Sequence, residues 1–359
     1  MRIVEKRGLA FLLLGILILA LASCGSGKTA QGAASGAQEA KTVYKWKLQT
    51  WAAAGDSTYT ASENLAAIVK DASDGRLIIT PYNAGAIIPA GKEFDGVISG
   101  SVEAIHGPPT WSIGYFPGAV FFGSTVGGLT ANQTRMWLNS DGRALAQKNY
   151  AKLGVHYVGA LTPHNAEVFL HTKKPINSVA DLKGMKLRMG AASLNDIFKR
   201  MGAAPVFLPG GEVYEAMQRG IIDGFEYVTP SVNWGLGFHE VSPYMYMSPS
   251  RAPTDAQALF INMKVWESMP KDLQRIVTLA CDKAADEYYV REVKDDAEAL
   301  KKFEAYGTKI SFVPKDVEDL LYKTAAAYYT EQAKADEAFR EIFESVQQWQ
   351  KVCAQFGIK

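Results

Sequence analysis

Arg188 closes a short strand-like run, residues 185–189, and Glu226 lies near the end of another, residues 224–228. A guanidinium offers two parallel donors that match the two oxygens of a carboxylate. An arginine at a strand end can therefore fix an organic acid in orientation as well as in charge. On residue type alone, the same arginine reads equally well as a solvated strand end. Gln49 and His106 stand at comparable places earlier in the chain. Trp51, Trp111 and Tyr227 lie beside these runs, and Trp234 a little further on. They suit the wall of a small-molecule pocket, although core packing explains most aromatics in a chain of this size. Covalent chemistry finds less support. There is no Gly-x-Ser-x-Gly, His-Glu-x-x-His or Cys-x-x-Cys, and His106, His156, His164, His171 and His239 are scattered. A triad assembled from distant residues is not excluded by that alone.

The elements that must hold these residues repeat. Residues 46–50 and 185–189 are strand-like runs, each followed by small residues and an amphipathic helix, 62–72 and 193–200. An apolar strand follows each helix, at 77–82 and 205–208. Helical turns over 94–100 and 214–220 both end at glycine, which suits a left-handed helix terminus. Each copy then enters another strand, 104–106 and 224–228. Strands alternating with helices predict parallel α/β sheets, and two such units predict two similar lobes. Coincidence between two α/β units is the competing reading, because all such units share a grammar. Open α/β sheets bind ligands at the carboxyl ends of their strands, where Gln49, His106, Arg188 and Glu226 fall.

The chain begins with Arg2, Lys6 and Arg7, an apolar run over 9–21, and Leu21-Ala22-Ser23-Cys24. A positive head, a short apolar run and small residues describe a signal peptide over 1–23. The run falls short of the roughly 20 residues of a membrane span. Its ending resembles a bacterial lipobox, which implies cleavage before Cys24 and lipidation of that thiol. An uncleaved anchor helix, or an ordinary signal with a chance cysteine, is the alternative. Residues 24–41, rich in Gly, Ala, Ser and Gln, read as a flexible tether. Within it, Gly25-Ser26-Gly27-Lys28-Thr29 mimics the tail of a phosphate-binding loop. Ala22 stands where that motif needs glycine, and no strand precedes it.

The remaining length allows two domains. With 48% hydrophobic residues, 21% charged residues and a net charge of +1, the composition gives no basic face for nucleic acid. Besides Cys24 only Cys281 and Cys353 remain; buried free thiols are the preferred reading and a disulfide the alternative. Residues 271–304 show apolar positions at helical spacing, and Pro314 opens another helical tract.

Three segments together resemble the solute-binding proteins of tripartite ATP-independent periplasmic (TRAP) transporters: Ser178-Val179-Ala180-Asp181-Leu182-Lys183-Gly184-Met185-Lys186-Leu187-Arg188, the run 218–227, and Ser73-Asp74-Gly75-Arg76-Leu77. The resemblance spans nearly all of residues 44–350 and points to the branch that receives 2-oxo acids and related carboxylates. It implies a two-lobed α/β fold of the periplasmic-binding-protein kind, type II-like, with a long bridging helix. Lobe I is expected over 42–160 and 256–313, lobe II over 161–255, and bracing helices over 314–359. Hinges are expected near 160–168 and 255–262.

By the same resemblance, Arg188 clamps a substrate carboxylate in a pocket shared with Trp51, Trp111, Tyr227, Glu167 and Glu226. Glu167, Glu226, Tyr227 and Asp255 correspond to the region where that branch holds a Ca²⁺ or Na⁺ ion bridging to the ligand. The sequence departs there: Tyr227 replaces a tryptophan, Glu167 a glutamine, and a further glutamate near position 252 is absent. Glu167 and Glu226 could instead receive a substrate ammonium or ring N–H. The implied function is capture of a 2-oxo acid, hydroxy acid or aromatic monocarboxylate for uptake driven by an ion gradient. The implied partners are small and large membrane subunits, with the receptor periplasmic or extracytoplasmic and lipid-anchored through Cys24. Alternatives are an amino-acid receptor, a sensor-linked binding lipoprotein and, least favoured, an exported enzyme.

Overall fold

The computed structural model describes residues 42–358. The signal peptide over 1–23, the tether over 24–41 and the lipidation of Cys24 lie outside the described residues. Strands within them are β1 (Tyr44–Thr50), β2 (Leu77–Tyr82), β3 (Ala104–Gly107), β4 (Val155–Pro163), β5 (Val168–Thr172), β6 (Lys186–Arg188), β7 (Ala204–Val206), β8 (Gly224–Phe225), β9 (Tyr244–Met247), β10 (Ala256–Asn262) and β11 (Lys309–Phe312). They form two sheets, ordered β2-β1-β3-β10-β4 and β11-β9-β5-β8-β6-β7. β1 pairs in parallel with β2 and β3, and β6 pairs in parallel with β7 and β8. The echo in the sequence is therefore a pair of equivalent units, β2-β1-β3 and β7-β6-β8. Each also takes an antiparallel neighbour on the same side, β10 beside β3 and β5 beside β8.

The helices between these strands follow from their spacing. Tyr59–Ala72 buries Ala61, Leu65 and Val69, each four residues apart, so one stripe faces inward. Ala192–Arg200 does the same with Leu194, Ile197 and Phe198. Glu93–Ser99 stops at Gly100, whose φ of 79° is the left-handed conformation that glycine adopts without strain. β10 is buried at every position between β3 and β4, which explains its nearly unbroken apolar run.

The chain passes between the sheets at residues 164–167, from β4 to β5, and at 248–255, from β9 to β10. The second crossing lies earlier than the expected hinge at 255–262, which is β10 itself. The two crossings are bonded together: the His164 N–H donates to Asp255 O at 2.8 Å and the Glu167 N–H to Ala252 O at 3.1 Å. The 36-residue helix Lys271–Tyr306 packs on β4 and Tyr59–Ala72 of one unit and on Pro230–Gly235 and β11 of the other. β11 pairs with β9, so this strand belongs to the second sheet, although the sequence grouped residues 256–313 with the first lobe. Lys315–Ala335 lies against Ala192–Arg200, and Glu337–Gln355 against Pro117–Phe122, so the two final helices rest on different units. Cys281 and Cys353 are free and buried. Among the described residues no helix is long and apolar enough to cross a membrane.

Candidate ligand-binding site

The carboxyl ends of β1, β3, β6 and β8 meet the two crossings around one cavity of about 410 Å³. Trp51 follows β1, Thr110 and Trp111 follow β3, Arg188 ends β6, and Glu226 and Tyr227 follow β8. Those residues line the cavity together with Gly190, Glu167 and Asp255, so Arg188, Trp51, Trp111, Tyr227, Glu167, Glu226 and Asp255 all face the same space. This is the strand-end placement that open α/β sheets impose.

Arg188 is 4% exposed. Its Nε donates to Leu208 O at 3.0 Å, and its Nη1 to Glu226 O at 2.7 Å and Glu226 Oε1 at 3.1 Å. Its guanidinium lies 5.3 Å from the centre of the Tyr227 ring. Nη2 has no hydrogen-bond partner among the described residues. Three protein contacts thus hold the group rigid while one edge stays available to a ligand. Glu226 Oε1 also accepts from the Gly190 N–H. A Cβ at Gly190 would stand 3.0 Å from that oxygen and 3.1 Å from Arg188 Nη1, so a side chain there would press the pair aside by a few tenths of an ångström.

The opposite wall reaches across. Trp111 Nε1 donates to Gly190 O at 2.9 Å, and the Tyr227 hydroxyl to Asp56 Oδ2 at 3.3 Å. The Trp51 ring lies 6.0 Å from Tyr227 and 6.4 Å from Trp111. Trp51 Nε1 is buried without a partner among the described residues. Arg188 Nη2 gives the cavity an unpaired cationic donor, which suits an anion.

Sequence reasoning missed Arg251. Its side chain is 0% exposed, and its two terminal nitrogens divide between two acids: Nη1 pairs with Glu167 Oε2 and Nη2 with Glu226 Oε2. The signal was an arginine five residues before β10, a strand apolar but for Gln257 and Asn262 and buried throughout. Burial pushes the Glu226 carboxyl up to about 7, while Arg188 and the Gly190 N–H draw it down. Burial also raises Asp255 and Asp56.

A second buried cluster braces the crossings. Glu292, on the long helix, accepts at Oε1 from the Tyr288 hydroxyl at 2.9 Å and Thr229 Oγ1 at 3.2 Å, and at Oε2 from the Asn165 N–H at 3.0 Å. His164 Nδ1 also meets Oε1. Burial alone would push His164 down, but Glu292 outweighs it and holds the ring up at about 9. Gln49 and His106 serve the core. Gln49 is bonded to the Ile88 backbone, and His106 lies between Ser62 Oγ at 3.0 Å and Thr162 Oγ1 at 3.1 Å. Burial pushes His106 down to about 3, and neither Ser62 nor His106 lines the cavity. Trp234 stacks on His239 against Phe303, away from the cavity.

Two α/β units facing each other across a cleft with a buried guanidinium define a solute-binding protein. The family model for bacterial extracellular solute-binding proteins, family 7, matches residues 48–336. A monocarboxylate 2-oxoacid-binding periplasmic protein of Nostoc is 31% identical over 331 residues, covering 92% of this chain and 88% of its own. A TRAP solute-binding protein of Bordetella bronchiseptica, with calcium and picolinate, is 26% identical with a TM-score of 0.82, over 88% of this chain and 94% of that one. A counterpart from Pseudoalteromonas atlantica, with sodium and pyruvate, is 28% identical with a TM-score of 0.83, over 88% and 96%. The chain belongs to this family of TRAP-transporter solute-binding proteins, a family of receptors and not of enzymes.

The ions in those relatives raise a question of fit. Glu167, Glu226, Tyr227 and Asp255 line the cavity, but the space between the first two is taken by Arg251. As they stand, these residues do not fit a metal ion.

Proposed function

We propose that this protein is the extracytoplasmic receptor of a TRAP transporter and captures a small organic carboxylate in the cleft at Arg188. One observation carries the reading. A guanidinium held by Leu208 and Glu226 keeps Nη2 free on the wall of a cavity lined by aromatic rings. A carboxylate there completes the hydrogen bonding of a buried cation, and leaving that cation unpaired is unfavourable. Trp51, Trp111 and Tyr227 surround the remainder of the ligand and exclude water. 2-Oxo acids, 2-hydroxy acids and aromatic monocarboxylates of this size match the cavity. A ligand touching both walls favours the closed form by its differential affinity, with the crossings at 164–167 and 248–255 as hinges. Membrane subunits on other chains then draw on an ion gradient to import it.

Glu167 supports a second reading. Its Oε1 accepts no hydrogen bond from the described residues, so a ligand bearing an ammonium or hydroxyl beside its carboxylate would find an acceptor there. Cys24 carries the proposed lipid anchor. Calorimetry of the purified receptor with pyruvate, lactate, picolinate and alanine tests both readings, with saturable binding of at least one expected. No binding of any small carboxylate to wild type would overturn the first. Cys24→Ser is expected to move the receptor from the membrane fraction to the soluble extract.

A further inference from the structure

We propose that Arg251 is the resident cation of this site, so that the receptor holds its carboxylate without a metal ion. The inference rests on the carboxylate reading and concerns how the same cleft balances its charge.

Solved relatives of matching fold pair a carboxylate with calcium or sodium: calcium with picolinate in the Bordetella bronchiseptica protein, sodium with pyruvate in the Pseudoalteromonas atlantica protein, and calcium with pyruvate in that of Colwellia psychrerythraea. A hard cation of this kind needs several oxygen ligands. Here the two glutamates that could begin such a shell each give an oxygen to one arm of Arg251. The opposite oxygen of Glu226 is held by Arg188 and Gly190. Two guanidiniums therefore already face these two carboxylates, with Asp255 the remaining acid on the cavity wall, and no group of three or more His, Cys, Asp or Glu side chains that could hold a metal occurs among the described residues. An added ion would have to displace a buried arginine or sit against it, and like charges repel strongly at low dielectric.

Position supports the substitution. Arg251 lies on the 248–255 crossing and does not itself line the cavity, whereas Glu167 and Glu226 do. It works from behind the acids, preventing them from repelling an anionic ligand, while Arg188 makes the contact. A guanidinium never leaves, so affinity no longer depends on the ion content of the medium. Its N–H groups also cannot be chelated by a 2-oxo group as a metal can. The ligand is then oriented by Arg188 and the aromatic wall.

The test begins with protein dialysed against a chelator in sodium-free choline buffer. Pyruvate and picolinate are titrated by calorimetry with and without added CaCl₂ or NaCl. Terbium is added separately, with emission sensitised by Trp51, Trp111 and Tyr227 as the readout. Wild type is expected to bind its carboxylate with a Kd that changes less than about twofold between ion conditions, and to give no saturable terbium signal. Arg251→Ala is expected to lose affinity and to recover at least about tenfold of it with calcium. Tightening of the wild-type Kd by about tenfold with calcium or sodium, or saturable terbium emission from wild type, would overturn the proposal. If neither carboxylate binds under any condition, that counts against the function, and the terbium arm still decides the role of Arg251. Should Arg251→Ala not fold, the wild-type measurements decide alone.

Discussion

At the crossings, Glu292 is enclosed on every side: His164, Tyr288, Thr229 and Asn165 all meet its two oxygens. In the cleft, on the other side of the 164–167 segment, Arg188 is just as deeply placed but keeps Nη2 unpaired, and Glu167 keeps Oε1 unpaired. Both regions are buried networks of polar and charged groups that reach the 164–167 segment, one through His164 and Asn165 and the other through Glu167. The difference lies in what each leaves unsatisfied. A satisfied network fixes geometry, whereas a deliberately incomplete one waits for a partner from outside. A stable hinge and a hungry pocket are thus obtained from the same chemistry by changing the count of partners.

The sharpest way to break this contrast is to strip the hinge. Glu292→Ala removes the acid that meets buried His164, leaving its Nδ1 only the Tyr288 hydroxyl at 3.3 Å, and should lower unfolding stability by roughly 3–5 kcal/mol in urea titrations. Carboxylate affinity of the folded remainder should barely move, and an equal loss there would mean the two clusters are one. Next in size is Arg188→Ala, which should weaken carboxylate binding by about 2–3 kcal/mol by calorimetry, with a smaller change in melting temperature.

Titration separates the clusters by pH. Both His164 and Glu226 have folded values above their ordinary ones, so the folded state holds these protons more tightly than the unfolded state. The associated stability is complete at low pH and lost as pH rises. The window for Glu226 runs from its ordinary 4.5 to about 7, and for His164 from 6.5 to about 9. The upper window should amount to roughly 3 kcal/mol, measured by denaturation at stepped pH, and His164→Gln should flatten it without touching the lower one. The smallest effect is expected from Trp111→Phe. It removes the 2.9 Å bond to Gly190 and should weaken ligand binding by about 1 kcal/mol while leaving unfolding unchanged.

Much of the pocket was legible because it sits at strand ends, and strand ends are marked by local pattern. The paired units around β1 and β6, and Arg188 and Glu226 beside them, follow from runs of a few residues. Arg251 was not legible for the opposite reason. Its two partners lie on other elements, and the one local signal, a place just before buried β10, does not say which acids it meets. β11 was misplaced for the same cause: four residues after a long helix do not reveal which sheet they join. Gln49 and His106 were legible as strand ends but not as core. Only their surroundings decide between a ligand contact and an internal hydrogen bond.

Gly190 has both of its backbone polar groups occupied, the amide by Glu226 and the carbonyl by Trp111 from the opposite wall. Filling and shutting are consequently soldered at a single α-carbon. The arginine that would meet an acid, its neighbouring glutamate and the indole across the gap are joined through this one residue. A bulkier residue at that position would press on the acid–guanidinium pair at the very point where the two walls touch.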